Sequence, residues 1–119
     1  MLPKSFLRPC ILLLLRERGG HGYDLLERLG ALGFERDDPG GLYRALRALE
    51  TEGLVRSAWE RSELGPDRRT YELTRAGMEE LHAAAAALVA TEEVLRTFLS
   101  RYGEFASLRA EPSRSDARG

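Results

Sequence analysis

The sequence has few of the residues that disulfide bonding, metal binding or catalysis require. Its 119 residues include one cysteine and two histidines. Cys10 alone cannot form an intrachain disulfide, which agrees with a reducing compartment. His21 and His82 are far apart in the sequence and have no metal-ligand spacing to each other or to Cys10. We therefore expect no enzyme activity, no cofactor and no metal site.

Long apolar runs of the kind that membranes require are missing as well. Ile11–Leu15 is an apolar run of five residues, which is too short to span a bilayer, and no small-residue cleavage site follows it. We expect this run to be a buried helix of a cytoplasmic protein that has no membrane partner.

The sequence also has no large excess of positive or negative charge. The formal net charge is −1, so there is no overall attraction to nucleic acid. The arginines between residues 40 and 75 are almost balanced by acidic residues in the same segment. A DNA-binding face would therefore have to arise from charges that the fold sorts onto one side.

The patterns that are present predict three helices, at about 8–18, 22–32 and 39–52. The third has the clearest start, because Asp38 is a good N-cap and Pro39 suits a first turn. Its apolar residues recur at helical spacing and would face the core: Leu42, Ala45, Leu46 and Leu49. Alternating residues at 54–59 and 69–73, separated by a turn at 63–67, predict a β-hairpin.

A fourth helix is predicted from Arg75 to about Tyr102, with Thr74 as its N-cap. Apolar residues at alternating spacings of three and four form a narrow seam that only Glu92 interrupts. A seam of this kind normally packs against another helix, and a second copy of the chain is the simplest partner. Together with Leu12 of the first helix, the residues assigned to a homodimer interface are Met78, Leu81, Ala85, Leu88, Leu95, Leu99 and Tyr102.

This order of elements predicts a mainly α-helical fold with a small hairpin, a winged helix-turn-helix followed by a dimerisation helix. The predicted boundaries are 1–74 for the DNA-binding domain, 75–108 for the dimerisation helix and 109–119 for a disordered tail. In such a fold the third helix enters the major groove and the hairpin contacts backbone or minor groove.

Candidate DNA-binding residues lie on the third helix and on the hairpin. Tyr43, Arg44 and Arg47 project away from the buried stripe, and arginine binds guanine edges or phosphates through two hydrogen bonds. The alternative is that both arginines pair with Glu50 or Glu52 on a solvated face. On the hairpin, Arg68 and Arg69 either contact phosphate or form an incidental charge pair in a polar loop.

The chain resembles the PadR family of bacterial transcriptional regulators, of the short type with one C-terminal helix. The matching stretches are HGYDLLERL at 21–29, GGLYRALRALETEGLVRSAWE at 40–60 and GPDRRTYELTRAG at 65–77. The resemblance implies a homodimer that uses its first and last helices as the interface. It also implies DNA contacts from Tyr23, Tyr43, Arg44, Arg47, Arg68 or Arg69, and a phosphate contact from Lys4.

One position departs from the family pattern. The family often has serine or threonine where this chain has Gly41, so a hydroxyl contact to phosphate is lost. The backbone N–H groups at this helix start could still bind an anion, which keeps Gly41 among the candidates. The opening segment LPKSFLRPCILLLL also resembles a subgroup of polyhydroxybutyrate-responsive repressors.

The resemblance implies a sequence-specific transcriptional regulator, and we expect a repressor that binds a pseudo-palindromic DNA operator. The alternative is a winged-helix dimer that binds another protein and no DNA. A small-molecule effector could occupy a cavity between the long helices of a dimer, near Phe98, Tyr102 or Trp59, although aromatic residues in such places are more often plain core.

Overall fold

The structure is a computed structural model that describes residues 4–34 and 38–109. A short 3₁₀ turn, Lys4–Phe6, leads into the first helix. The elements that follow, in chain order, are α1 (Leu7–Glu17), β1 (Gly20–His21), α2 (Gly22–Leu32), α3 (Pro39–Thr51), β2 (Val55–Glu60), β3 (Arg68–Leu73) and α4 (Arg75–Arg109). The predicted winged helix-turn-helix with a long C-terminal helix is confirmed.

A leucine-rich core joins the first three helices to the hairpin. Each helix contributes one apolar stripe, as the spacing predicts, and the hairpin adds Val55 and Tyr71. The most deeply buried side chains are Ile11, Leu12, Leu25, Leu29, Leu42, Leu46, Leu49 and Val55. Each such side chain contributes roughly 1.5–3 kcal/mol relative to an exposed position.

Leu12 is 1% exposed within this core, and the prediction that it contributes to a dimer interface is therefore wrong. A side chain that is already enclosed by its own chain has no surface left for a partner. On the same helix Leu13 is 40% exposed, so α1 does have an apolar position on its outer side.

The segment between α1 and α2, for which the sequence predicts no strand, does form one. Gly20 and His21 form a short strand that pairs with β3, which makes a three-stranded antiparallel sheet in the order β1-β3-β2. The C-terminal end of α1 is closed by Arg28, whose guanidinium donates hydrogen bonds to the carbonyls of Leu14 and Arg18. The Leu14 carbonyl also accepts the Arg18 N–H at 3.0 Å, so Arg28 adds a second donor there and links α2 to the end of α1.

Capping residues mark three further helix ends as predicted, the C-terminal ends of α2 and α3 and the N-terminal end of α4. Gly33 and Gly53 both have positive φ values, of 111° and 81°, and they follow α2 and α3 at positions where glycine is favoured. Thr74 caps α4, because its hydroxyl accepts a hydrogen bond from the Gly77 N–H at 3.0 Å and donates one to the Gly53 carbonyl at 2.7 Å.

The described residues divide into two compact units, one that ends at residue 85 and one that begins at residue 86. The first unit extends past the predicted boundary at residue 74 because the first turns of α4 belong to it, where Leu81 packs against the core. In the second unit α4 ends at Arg109, seven residues beyond the predicted helical pattern, which ends at about 102, and one residue beyond the predicted dimerisation helix, 75–108. The rest of the predicted disordered tail, 110–119, lies outside the described residues.

Large apolar side chains of the second unit are exposed. They recur along its helical turns and are between 37% and 67% exposed: Leu88, Val89, Val94, Leu95, Phe98, Leu99, Tyr102 and Phe105. A contiguous apolar surface of this kind is typical of an interaction site. None of the helices in residues 4–34 and 38–109 combines the length and apolarity that a membrane span requires.

Candidate nucleic-acid interface

Helix α3 separates an apolar face from a polar one. Leu42, Leu46 and Leu49 are at most 2% exposed, which anchors this face in the core. On the other side Tyr43 is 43% exposed, and Arg44 and Arg47 are exposed. The helix therefore presents one aromatic and two cationic side chains to solvent along successive turns.

The sequence leaves open that Arg44 and Arg47 pair with Glu50 or Glu52. In the structure neither arginine does so. The Glu52 carboxylate accepts two hydrogen bonds from Arg8, at 2.8 and 3.0 Å, and these bonds lower the pKa of Glu52 and raise that of Arg8. Within residues 4–34 and 38–109, Arg44 and Arg47 form no ion pair. Their guanidinium groups are therefore available to an external anion or to base edges.

The N-terminal end of α3 is closed by its own cap. The Asp38 carboxylate accepts a hydrogen bond from the Gly41 N–H at 3.0 Å. The Gly41 N–H is thus already used within the chain, and the predicted contact of this helix start with an anion stays a prediction. Gly41 belongs to the cap.

Tyr23 and Tyr43 lie together where α2 begins. Tyr23 is 71% exposed. The ring of Tyr43 lies so close to the Gly22 backbone that any side chain at position 22 would overlap it. A residue with no side chain at the start of α2 therefore lets Tyr43 of α3 take its position.

A groove of about 620 Å³ separates these tyrosines from the hairpin. On the α2 and α3 side it is bounded by Tyr23 and Tyr43, and on the hairpin side by Trp59, Arg68 and Arg69. Tyr71 lies in the same groove and is only 6% exposed; burial raises the pKa of its hydroxyl, while Arg69 and Arg47 act in the opposite direction. The groove therefore combines aromatic surface with arginine charge.

The two adjacent arginines of β3, Arg68 and Arg69, have different surroundings. Arg69 donates a hydrogen bond to the Ser57 hydroxyl at 2.9 Å, lies 3.8 Å from the Glu50 carboxylate, and stacks over the Trp59 ring at 5.3 Å. Arg68 is exposed and, among the described residues, makes no ion pair. The sequence did not distinguish them.

The cluster around Arg69 was missed from the sequence, although one signal for it was available. The alternation at 54–59 puts Ser57 and Trp59 on one face of β2, and in the sheet Trp59 pairs directly with Arg69. Only the register between the strands shows that Arg69 shares this face. Lys4 lies in the 3₁₀ turn, and its side chain lies outside the described part of the chain.

This arrangement defines a class of protein. Three helices that share one core, the third of which exposes cationic and aromatic residues beside a β-hairpin, constitute a winged helix-turn-helix of the DNA-binding type.

Comparison with known proteins specifies the family. The sequence profile of the transcriptional regulator PadR-like family matches residues 11–83, which cover most of the first unit. This chain belongs to that family, and it is a transcriptional regulator. The resemblance to a polyhydroxybutyrate-responsive subgroup stays a prediction.

Solved structures of family members have the same fold. A PadR-like transcriptional regulator from Bacillus cereus is 28% identical, with 81% of this chain and 93% of that chain covered and a TM-score of 0.72. A PadR family transcriptional regulator from Eggerthella lenta is 27% identical, with 80% and 82% covered and a TM-score of 0.71. No curated protein matches the chain.

Proposed function

We propose that this chain is a repressor that binds a pseudo-palindromic DNA operator as a homodimer. The observation that carries the proposal is the exposed face of α3, where Tyr43 adjoins Arg44 and Arg47 and where neither arginine is paired among the described residues. An arginine that binds DNA loses part of its hydration and gains hydrogen bonds to phosphate or guanine. This exchange is favourable when the arginine does not also have to break an ion pair within the protein.

The geometry supports insertion of α3 into the major groove. An α-helix fits this groove, and an arginine there donates two hydrogen bonds to guanine O6 and N7. Arg44 and Arg47 are three residues apart and so lie on one side of the helix. Tyr23 and Tyr43 carry phenolic hydroxyls beside them, which we assign to the phosphate backbone together with Lys4 and Arg68.

The homodimer is supported by the exposed apolar face of residues 86–105. We assign its contacts to Leu88, Leu95, Leu99 and Tyr102, each between 37% and 61% exposed, and to Ala85. Met78 and Leu81 are half-buried within the first unit, so their contribution is limited to the surface that remains. A two-fold dimer presents two copies of α3, which matches an operator made of two inverted half-sites.

Repression is the simplest outcome of such binding, because a dimer on its operator blocks access to the DNA that it covers. This role places the protein in the cytoplasm, with the DNA. An apolar effector could bind between two α4 helices near Phe98 and Tyr102. Trp59 lies in the groove beside the hairpin, so it is a separate candidate.

Salt dependence of DNA binding tests this proposal against a protein-binding module. Duplexes are first enriched from a random pool by the wild-type protein, and the most enriched one (hereafter the selected duplex) is titrated by fluorescence anisotropy. A protein that makes about six phosphate contacts loses roughly a thousandfold in affinity between 50 and 200 mM salt, because counterions are released from DNA. Absence of binding at low salt would favour the protein-binding module.

A further inference from the structure

Arg68 and Arg69 are consecutive in β3 and therefore point to opposite faces of the sheet. Cross-strand pairing shows which residues accompany each of them. Arg69 is opposite Trp59, on the face that also carries Ser57 and the buried Tyr71, whereas Arg68 is opposite Glu60 at the end of the strand pair, from where it still borders the groove. Two adjacent residues of identical charge thus have different environments.

The side chain of Arg69 connects three elements. Its Nε donates to the Ser57 hydroxyl of β2, and this hydroxyl in turn donates to the Glu50 carboxylate of α3 at 2.7 Å. A terminal nitrogen of Arg69 approaches the same carboxylate at 3.8 Å, and the guanidinium lies over one face of the Trp59 ring, which is 66% exposed. The planar guanidinium suits this combination, because it donates in several directions while stacking on an aromatic ring.

These contacts have a consequence for DNA binding. Glu50 lies in the last turn of α3 and Ser57 lies in β2, so the Arg69 contacts link the hairpin to the C-terminal part of the helix that faces DNA. Arg69 already uses its Nε for Ser57 and directs its charge to Glu50, so a phosphate would compete with these contacts for the guanidinium. Arg68 has no such partners among the described residues.

We propose that Arg69 is a positioning residue that holds the hairpin against α3 through Ser57 and Glu50, and that Arg68 alone of this pair contacts a DNA phosphate. The proposal rests on the proposed DNA-binding function and assigns separate roles to two arginines that the family resemblance treats as equivalent.

The first test compares Arg68→Gln with Arg69→Gln on the selected duplex at several salt concentrations. Loss of one phosphate contact lowers the salt slope by about one, whereas loss of positioning weakens binding without changing the number of contacts. We expect Arg68→Gln to lower the slope. We expect Arg69→Gln to weaken binding by roughly 3- to 10-fold, as for a lost hydrogen bond, with the slope of the wild type.

Arg69→Lys separates charge from geometry. A lysine keeps the positive charge that a phosphate contact needs, but it has neither the planar fork nor the stacking surface of arginine. We therefore expect Arg69→Lys to weaken binding as much as Arg69→Gln does. Ser57→Ala should do the same, and adding it to Arg69→Gln should cause little further loss, because both changes remove one network.

A second measurement needs no DNA. Trp59 is the single tryptophan of the chain, so its fluorescence reports the hairpin directly. In the free protein, Arg69→Gln should increase quenching of Trp59 by acrylamide, because the guanidinium no longer lies over one face of the ring. The matched control, Arg68→Gln, should leave the quenching unchanged.

Two results would overturn the proposal. The first is a salt slope that falls by about one in Arg69→Gln while Arg69→Lys binds as tightly as the wild type. The second is equal acrylamide quenching of Trp59 in Arg69→Gln, Arg68→Gln and the wild type. If the wild type binds no duplex, the DNA-binding function fails and with it the phosphate role of Arg68. The quenching comparison then still decides whether Arg69 positions the hairpin.

Discussion

Different residues of α3 serve the fold and the proposed DNA binding. Leu46 and Leu49 hold the helix in the core, while Arg44 and Arg47 on its outer side lack internal partners among the described residues. The cost of removing an outer arginine should therefore appear in DNA binding and leave the fold unaffected.

Arg44→Ala and Arg47→Ala test this separation. Each variant should weaken binding to the selected duplex by roughly 1–3 kcal/mol if its arginine reads a guanine. The loss should be larger on the selected duplex than on a scrambled one, since base contacts specify sequence and phosphate contacts do not.

The matched control is Arg56→Ala, an exposed arginine of the hairpin that already pairs with Glu72 at 3.1 Å. It should keep the wild-type preference for the selected duplex. Anisotropy titrations of both duplexes measure the difference. If Arg44→Ala and Arg47→Ala kept the wild-type preference for the selected duplex over the scrambled one, α3 would not read bases through these arginines.

Gly22 has a role that only the structure shows. A methyl group at this position would overlap the ring of Tyr43, so we expect Gly22→Ala to displace that ring. The overlap is with the outer atoms of a ring that is 43% exposed and can move aside, so we expect less than the cost of overpacking a core, about 1 kcal/mol at most, measured as the free energy of unfolding in a denaturant titration.

The control for Gly22→Ala is the same change made in a Tyr43→Ala background. Without the ring there is no overlap, and the substitution should cost little. An equal cost in both backgrounds would show that Tyr43 is not the reason for glycine at this position.

At the scale of elements, the sequence predicted most of the fold, because local signals mark the helices. Asp38 and Gly53 fix both ends of α3, and the periodic leucines identify its buried face. The sequence did not predict β1, since a strand of two residues has no alternation and exists only through pairing with β3. Contacts that depend on strand register, such as those of Arg69, were missed for the same reason.

Thr74 connects two elements, and its removal should have a measurable cost. Its hydroxyl bonds both the Gly77 N–H of α4 and the Gly53 carbonyl that precedes the hairpin. We expect Thr74→Ala to lower the free energy of unfolding by roughly 0.5–2 kcal/mol. Thr74→Ser keeps the hydroxyl and should retain most of the stability; equal losses in the two variants would exclude the cap as the cause.

At the scale of the whole molecule, the seam of α4 was predicted from spacing, and the structure shows that this face is exposed in the second unit. Leu88 and Leu95 are 37% and 51% exposed. A single chain leaves this surface in water, and a second copy would bury it. The sequence indicates an apolar seam, but it does not show what covers the seam, because the covering surface belongs to another molecule.

Leu95→Glu should therefore weaken the dimer, because it places a charge in an apolar interface. The control is Thr97→Glu, which adds the same charge at an exposed position of the helix roughly opposite to Leu95. Light scattering at micromolar concentration measures the mass. We expect a dimer for the wild type and for Thr97→Glu and a shift to monomer for Leu95→Glu; a retained dimer in Leu95→Glu would contradict the seam as the interface.

The most direct test of the whole account is the sequence of the duplexes that the wild-type protein enriches from a random pool. A homodimer that inserts one α3 per half-site should select an inverted repeat, with half-site centres about one helical turn, or 34–36 Å, apart. Enrichment of a single site without a repeat would contradict the dimeric mode of binding. Enrichment of no sequence would contradict the central claim that this chain reads DNA.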